Sequence, residues 1–201
     1  MALEESLISK GYWPLCGVDE AGRGPLAGPV YAAAVIMDPR HELRLVVRDS
    51  KQLSPAQRDD IFEQLTASDR VHVAFSSVDA RTIDEINILQ ATLLAMREAV
   101  LGLGLEPRFA IVDGNAVPEL PCPCVPVVRG DEHEPSISAA SIVAKVIRDR
   151  HMEEMDLLYP GYGFAQHKGY PTKAHFEAIR SLGVCPIHRR SFKGVCQVKQ
   201  G

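Results

Sequence analysis

Two adjacent carboxylates, Asp19 and Glu20, are the residues of this chain best suited to metal-assisted chemistry. They end a short apolar run, residues 15–18, and lead into the glycine-rich turn Gly22-Arg23-Gly24. Because successive strand side chains face opposite sides, both acids can serve one site only at a strand end. Crowded carboxylates repel one another unless a cation, usually a divalent metal, lies between them. An isolated Asp-Glu dipeptide is more often part of a solvated turn, so a metal site is indicated only if other acids lie nearby.

Two later acids also follow short apolar strands. Asp113 comes directly after Ile111-Val112, and Asp131 follows residues 125–128 and precedes a run of small residues at 136–141. Open α/β sheets place their sites at strand ends, so three strand-end positions can converge on one edge. Each acid alone would be a turn residue. Together they predict a metal site.

A dinucleotide site is the alternative for the glycine turn, because Gly22, Gly24 and Ala27 match Gly-x-Gly-x-x-Ala. That motif requires a helix directly after the turn, with its N-terminus directed at the pyrophosphate. Here Gly28-Pro29 and a strand-like run follow, and two carboxylates stand where phosphates would approach. The dinucleotide interpretation is therefore rejected.

The elements that must position these acids alternate between strand and helix. A serine N-cap followed by proline, Ser54-Pro55, opens one helix, and apolar spacings of three and four indicate others. The predicted strands are 15–20, 29–37, 71–78, 109–112 and 125–128, and the predicted helices are 54–67, 84–103, 137–158 and 173–182. This order predicts a mixed sheet with helices on its faces.

Bulk properties fit a single domain. The chain has 201 residues, 46% of them apolar and 24% charged, and no apolar run is long enough to span a membrane. Residues 1–10 carry three charges and no long apolar segment, so no secretory signal is expected. The five scattered cysteines predict reduced thiols in a cytoplasmic protein.

Charge is unevenly distributed along the chain. The net charge is −4, but residues 160–201 hold seven lysines and arginines against the single acid Glu177. Three histidines are interleaved with them: His167, His175 and His188. A basic C-terminal surface beside an acidic metal site predicts a polyanionic substrate.

A family resemblance covers about residues 13–193. Residues 17–30 read Gly-Val-Asp-Glu-Ala-Gly-Arg-Gly-Pro-Leu-Ala-Gly-Pro-Val and resemble the signature of the type 2 ribonucleases H, the bacterial ribonuclease HII family. Further motifs follow in the family's order at 49–53, 112–114, 138–146, 148–150, 167–172 and 186–192. Coincidence does not explain so many ordered motifs.

The resemblance implies both fold and activity. The implied fold is a ribonuclease H-like mixed five-stranded sheet flanked by helices, with a core at about 13–158 and a C-terminal helical, substrate-binding appendage at about 159–193. Enzymes of this family are endonucleases that cut the RNA strand of RNA–DNA hybrids and leave 5′-phosphates. They also cut 5′ of a single ribonucleotide embedded in duplex DNA, which supports ribonucleotide removal and DNA repair.

The implied catalytic acids, which are also the implied metal ligands, are Asp19, Glu20, Asp113 and Asp131. Hydrolysis of a phosphodiester needs an activated water and a stabilised leaving oxygen, which two divalent ions can provide. Hard oxygen ligands favour Mg²⁺ or Mn²⁺. Asp19 is expected to bridge the two ions, while the role of Asp131 stays the most open of the four.

The resemblance also implies the substrate-binding residues. Gly22-Arg23-Gly24 matches the ribose-reading loop, where glycines let the backbone approach the 2′-OH that distinguishes RNA from DNA. Arg23 is expected to hold the neighbouring phosphate. Tyr170 matches a tyrosine that stacks on the deoxyribose after the ribonucleotide; without its context it would be a core tyrosine. Lys51 and Lys168 are expected phosphate contacts.

Other polar residues have alternative interpretations. Asp149 is the rival fourth acid, but it lies four residues after Lys145, so an ion pair on a helix surface explains it. His188 is assigned to the docking surface rather than to general-base catalysis. Ser138 and Ser141 indicate close packing at a helix start, although one of them could reach a phosphate.

The expected partner is an RNA–DNA hybrid or a ribonucleotide-containing DNA duplex. The protein is expected to be a monomer and not to associate with membranes. No clamp-binding segment of the Gln-x-x-Leu-x-x-Phe-Phe type follows Phe192, so no sliding-clamp partner is predicted. Two rival functions stay open: another nuclease of the ribonuclease H superfamily, and a non-catalytic hybrid-binding protein. An intact acid quartet argues against the second, because clustered carboxylates weaken binding to phosphate unless metals fill them.

Overall fold

The structure, a computed structural model, describes residues 3–47 and 53–195. The predicted phosphate contact at Lys51 lies outside these ranges. Within them, every cysteine carries a free thiol, at positions 16, 122, 124 and 185. No helix in the described part of the chain is long and apolar enough to cross a membrane.

One mixed sheet forms the centre of the molecule. Its strands are β1 (Leu15–Ala21), β2 (Val30–Met37), β3 (Val71–Val78), β4 (Phe109–Asp113) and β5 (Cys124–Val127). They are ordered β3-β2-β1-β4-β5, with β1–β2 and β2–β3 antiparallel and β1–β4 and β4–β5 parallel. The predicted five-stranded mixed sheet is therefore confirmed.

Helices cover both faces of this sheet. They are α1 (Leu3–Ser9), α2 (Leu43–Val46), α3 (Pro55–Ala67), α4 (Ala80–Leu101), α5 (Pro135–Leu158), α6 (Phe164–His167) and α7 (Lys173–Leu182). The predicted start of α3 is confirmed, because the Ser54 hydroxyl accepts from the Gln57 N–H and the Gln57 side chain accepts from the Ser54 N–H. The short helices α1, α2 and α6 were not predicted.

Strand β2 shows why the sheet is covered on both sides. All eight of its residues are buried. Ala32, Ala34 and Ile36 join the apolar cluster under α4, whereas Ala33 and Val35 join the cluster formed with α3 and α5. A continuous apolar run of this kind is what a strand with two buried faces requires.

Helix α4 is interrupted at Asn87, so the predicted continuous helix over 84–103 is wrong. Asn87 has φ +68° and ψ 163°, far from helical values, and this breaks the helical path. Its side-chain oxygen accepts from the N–H groups of Leu89 and Gln90 and so caps the second segment. Asparagine provides both the backbone conformation and the cap, whereas the apolar period runs through the break without a signal.

Buried carboxylates join α1 to the start of α5. The Glu134 carboxylate accepts from the N–H groups of Leu3 and Glu4, and the Glu4 carboxylate accepts from the N–H and hydroxyl of Ser136. Each helix thus receives an acceptor for its free N-terminal amides from the other. Arg44 of α2 completes the cluster with a 2.6 Å ion pair to Glu4. This cluster fixes α5 just after Asp131.

Candidate active site

The sheet places two of the predicted acids side by side. Strands β1 and β4 pair in parallel as far as Val18 and Val112, so Asp19 and Asp113 come next at the same edge. Toward β2, however, β1 continues, and Asp19 pairs with Ala33. The expectation that the acids stand at a strand end is therefore confirmed on the β4 side only.

Asp19 is nearly buried, with 5% of its surface exposed, and faces α5. Gly17 lies two residues earlier on the same face, and a Cβ there would overlap the backbone of Ser136, so glycine allows α5 to approach closely. The Glu20 N–H donates to Asp19 Oδ1 at 2.7 Å, and the Ser141 hydroxyl hydrogen-bonds the same carboxylate. Of the two serines predicted to reflect packing, Ser141 therefore supports an acid.

Electrostatic repulsion connects three of the acids. Burial, followed by the charges of Glu20 and Asp113, raises the pKa of Asp19 well above its usual range. Burial also raises the pKa of Glu20; nearby Arg23 opposes this shift, and Asp113 adds to it. A cation among these groups would relieve both the burial cost and the mutual repulsion.

Asp131 lies beside Asp113 through its backbone. It belongs to a single 3₁₀ turn, Gly130–Glu132, and its N–H donates to Asp113 Oδ1 at 3.3 Å. Its carbonyl accepts from the Ser138 hydroxyl at 2.7 Å, which attaches the turn to α5. The four predicted acids are thus gathered at one edge of the sheet, and we call Asp19, Glu20, Asp113 and Asp131 the acid edge.

The acid edge offers hard oxygen donors but no complete metal cage. Among the residues that the structure describes, no three histidine, cysteine, aspartate or glutamate side chains are arranged to hold a metal ion. Mg²⁺ typically uses one or two carboxylates together with waters and substrate phosphates, rather than an all-protein cage. By donor type and charge, the acid edge fits divalent ions that share their coordination shell with a phosphate substrate.

The loop at residues 22–28, which we call the glycine loop, is held from below by a buried arginine. Arg189 is 0% exposed and donates to three carbonyls, with distances of 2.6 Å to Gly22, 3.0 Å to Arg23 and 2.9 Å to Gly28. A guanidinium can do this because its donors form a rigid fork. Burial, followed by the charge of Arg148, lowers the pKa of Arg189 to about 9. Its predicted place on a basic surface is therefore wrong.

A second buried arginine supports the same loop from α5. Arg148 donates to the carbonyls of Pro29 (3.2 Å), Ala27 (3.3 Å) and Lys168 (3.0 Å). Gly22 has φ +98°, and a Cβ on it would overlap Arg148 Nε, so the sequence needs glycine there for two reasons. The helical period contained a signal for Arg148, because it lies four residues from each of the buried residues Ala144 and Met152.

Tyr170 lies against the glycine loop and is 41% exposed, so it is not a core tyrosine. Its Cε1 is 3.7 Å from where a Cβ of Gly24 would stand, and the Arg148 guanidinium lies 5.8 Å from its ring centroid. Arg23 is exposed and forms a 3.2 Å ion pair with Glu20. The glycine loop therefore borders Tyr170 on one side and the acid edge on the other.

The remaining predicted residues have mixed outcomes. Asp149 forms the expected ion pair with Lys145 at 2.8 Å. Lys168 Nζ is bonded to Glu153 at 2.7 Å, and its contact with phosphate stays a prediction. His188 is 2% exposed, so its assignment to a docking surface is wrong; it packs inside the C-terminal segment with His175 and Cys185.

This fold occurs in solved structures of ribonucleases H. Ribonuclease H2 from Pyrococcus horikoshii OT3 is similar with a TM-score of 0.75 and 30% identity, over 91% of this chain and 95% of that one. The ribonuclease HII in a complex with PCNA from Archaeoglobus fulgidus gives 0.76 and 28%, over 93% and 97%. The protein therefore has a ribonuclease H-like α/β fold, as the resemblance implied.

Sequence comparisons define the family. The ribonuclease HII model matches residues 16–195. The ribonuclease HII of Aliivibrio fischeri strain MJ11 is 53% identical over 189 residues, 94% of this chain and 90% of the relative. That of Caldicellulosiruptor saccharolyticus is 50% identical over 190 residues, 94% and 92%. The chain belongs to the ribonuclease HII family and is an enzyme with ribonuclease H activity, the endonucleolytic cleavage of RNA paired with DNA.

Proposed function

We propose that the acid edge holds two divalent ions, Mg²⁺ or Mn²⁺, and that the enzyme cuts 5′ of single ribonucleotides in duplex DNA as well as within RNA–DNA hybrids. The observation that carries this proposal is that Asp19 and Asp113 lie side by side where the parallel pairing of β1 and β4 ends, directly beside the glycine loop. Chemistry and recognition of the sugar would then act on one nucleotide.

Bound ions would supply an activated water and stabilise the leaving oxygen. The protein contributes fixed ligand positions. Asp19 is held from two sides, by the Glu20 N–H and by Ser141, while the N–H of Asp131 holds Asp113. Such preorganisation avoids the cost of arranging ligands during the reaction. Asp19, Glu20, Asp113 and Asp131 are the residues that would hold the two ions.

Recognition of the ribose is assigned to Gly22-Arg23-Gly24. Glycine at position 24 leaves the exposed backbone open to a 2′-OH, which both donates and accepts hydrogen bonds, while glycine at position 22 makes room for Arg148. Arg23 is exposed next to Glu20, where its guanidinium can exchange that partner for the phosphate. Because Arg189 and Arg148 bind the carbonyls of this loop, the loop can present one fixed geometry to the sugar.

Tyr170 is assigned to the sugar that follows the ribonucleotide. Its exposed ring beside Gly24 would stack on a deoxyribose, which favours an RNA-to-DNA junction over continuous RNA. Lys51 and Lys168 are proposed phosphate contacts along the strand. The cytoplasmic location, the monomeric state and the lack of a clamp partner stay predictions.

The test compares three duplexes that carry zero, one or four ribonucleotides, each incubated with purified protein and Mn²⁺ or Mg²⁺. We expect cleavage of the second duplex 5′ of its ribonucleotide, cleavage of the third, none of the first, and no cleavage at all with EDTA. If the duplex with one ribonucleotide is cut no faster than the duplex with none, the protein is another nuclease of the superfamily. Binding of the hybrid without cleavage would indicate a non-catalytic binding protein.

A further inference from the structure

Two histidines of the C-terminal segment form a buried hydrogen-bonded chain that ends at Tyr170. His175 is 0% exposed and His188 2%, and their Nε2 atoms are 3.1 Å apart. At one end, His175 Nδ1 lies 3.0 Å from the backbone oxygen of Tyr170. At the other, His188 Nδ1 lies 3.0 Å from the backbone nitrogen of Cys185.

The partners at the two ends fix the direction of this histidine chain. A backbone N–H can only donate, so His188 Nδ1 accepts from Cys185 and its proton lies on Nε2. A carbonyl can only accept, so His175 carries its proton on Nδ1 and bonds the Tyr170 oxygen. The His188 Nε2–H then donates to the bare Nε2 of His175. Every donor thus meets an acceptor when both rings are neutral.

Neighbouring groups favour that neutral state. Burial lowers the pKa of both rings, that of His188 to about 4. His175 and His167 add to the lowering of the His188 pKa, and His167 adds to that of His175. His167 stacks on His175 with 4.4 Å between ring centroids. The His167 Nδ1 also accepts from the Gly169 N–H, so the turn before Tyr170 is held by two rings.

The histidine chain also reaches the glycine loop. The backbone of His188 forms a β-bridge with Ala27, and the Gly169 carbonyl accepts from the Leu26 N–H at 2.8 Å. The two segments that the chain joins, around residues 170 and 188, therefore both pack on the glycine loop, as Arg148 of α5 also does. A shift of either segment would move Tyr170 relative to Gly24.

We propose that His175 and His188 are positioning residues. They fix the position of Tyr170 relative to the glycine loop and thereby set the preference for an RNA-to-DNA junction. The inference rests on the proposed function of Tyr170. Neither ring contacts the substrate or the acid edge in this role. The effect passes through the Tyr170 carbonyl, which accepts the hydrogen bond from His175.

The test measures kcat/KM on the single-ribonucleotide duplex divided by kcat/KM on the four-ribonucleotide duplex. His175→Leu removes the donor to Tyr170 and should lower this ratio about tenfold, since small displacements of a contact group can cost up to about 100-fold. His175→Asn carries an amide N–H on Cγ, as histidine carries Nδ1–H, and should restore most of the ratio. A purely structural role would lower both substrates equally and leave the ratio unchanged.

A double-mutant cycle ties the effect to the tyrosine. With Tyr170→Ala already present, His175→Leu should lower the ratio no further, because the group that it positions is gone. A full additional loss would overturn the proposal. If Tyr170→Ala lowers the ratio and His175→Leu does not, the positioning role is wrong while the proposed function stands. If the wild type leaves the single-ribonucleotide duplex uncut, the proposed function fails and the inference falls with it.

A measurement on the wild-type protein covers the case in which His175→Leu does not fold. Nitrogen chemical shifts of the imidazole rings report which ring atom carries the proton. The histidine chain predicts the Nδ1–H form for His175 and the Nε2–H form for His188 at neutral pH. The opposite form at either ring would break the chain and overturn the proposal.

Discussion

The acid edge and the glycine loop are neighbours in sequence, yet different parts of the molecule hold them. Asp19 stands in a strand buried between helices, with apolar clusters on both faces of the sheet. The glycine loop instead lies on residues 148, 169 and 187–189, which bond its carbonyls and amides. One region is fixed by apolar packing and the other by buried polar contacts.

The two regions are therefore expected to respond differently to amino-acid substitution. Apolar packing is spread over many side chains, so the position of Asp19 does not depend on one partner. The glycine loop depends on two guanidinium groups, and removing one would leave several buried carbonyls without a donor, each at a cost of about 1–3 kcal/mol. We therefore expect changes at the acid edge to stop the chemistry, and changes under the glycine loop to damage recognition.

The largest expected effect comes from Asp19→Asn. Without the carboxylate, cleavage of both the single-ribonucleotide duplex and the hybrid should fall at least about 1000-fold, since several kcal/mol of metal-assisted stabilisation would be lost. Binding of the hybrid should remain. Single-turnover cleavage and a binding titration measure the two quantities.

The matched control for Asp19→Asn is Asp149→Asn. Asp149 lies on α5 and pairs with Lys145, so its amide variant should cleave at close to the wild-type rate. Near-normal turnover by Asp19→Asn would remove Asp19 from the metal site. A collapse of activity in Asp149→Asn would instead make Asp149 the fourth acid in place of Asp131.

Arg189→Lys should have the next largest effect, on recognition. Lysine keeps the charge but cannot reach three carbonyls at once, so the glycine loop should lose its fixed geometry. We expect about 100-fold lower kcat/KM on the single-ribonucleotide duplex, with weaker substrate binding as part of the loss. Arg190→Lys is the control, because Arg190 is exposed and contributes its backbone N–H to Asp84. Equal effects of the two variants would contradict the role given to Arg189.

Tyr170→Ala should act more selectively. Loss of the ring beside Gly24 should lower the ratio of single-ribonucleotide to hybrid cleavage about tenfold, which corresponds to about 1.4 kcal/mol. Tyr12→Ala is a matched control, since Tyr12 is equally exposed at 41% but packs on the edge of Phe109. The same rates as wild type on both substrates, or equal losses on both, would remove Tyr170 from junction sensing.

The sheet and the main helices could be predicted because local signals and packing agree. Apolar alternation predicted β3 at 71–78, and the preceding Pro171-Thr172 predicted α7 at 173–182; both have these bounds in the structure. The break at Asn87 was missed, since the apolar spacing continues across it. The short helix α1 was missed because its stability comes from Glu134, more than a hundred residues away.

The candidate site was predictable where motifs mark it. Asp19, Glu20, Asp113, Gly22-Arg23-Gly24 and Tyr170 lie close together in the structure, while their roles in catalysis and substrate binding stay predictions. The supporting arginines were not found. Arg148 could have been suspected from its place between the buried positions 144 and 152 of α5, whereas nothing in the sequence distinguishes Arg189 from a surface charge before its carbonyl partners are known. His188 was misassigned for the same reason: its environment comes from His175 and Cys185 after folding.

The smallest effect is expected on folding stability. It shows how much the buried carboxylate of Asp19 destabilises the folded protein. Because the pKa of Asp19 is raised in the folded state, the folded protein holds this proton at pH values where the unfolded chain, with a pKa of about 3.9, has released it. The wild type therefore loses stability as pH rises from about 4 toward the raised value. An asparagine side chain cannot ionise, so Asp19→Asn escapes this loss. In EDTA at pH 7 the Tm of this variant should exceed that of the wild type, by about 2–4 °C for each 1 kcal/mol of stability that ionisation of Asp19 costs a domain of this size.

Thermal melts of both proteins from pH 4 to pH 8 check this expectation. The difference in Tm should be near zero at pH 4 and grow toward neutrality, and Mn²⁺ should stabilise the wild type more than Asp19→Asn because only the wild type keeps the full set of ligands. Arg189→Lys, which weakens the support of the glycine loop, should lower Tm at every pH in this range. A gain in Asp19→Asn that does not change with pH would mean that the cost of ionising Asp19, from its burial and from the neighbouring acids, is not the source of the gain. The acid edge would then be held at no electrostatic cost, and the contrast with the glycine loop would lie in packing alone.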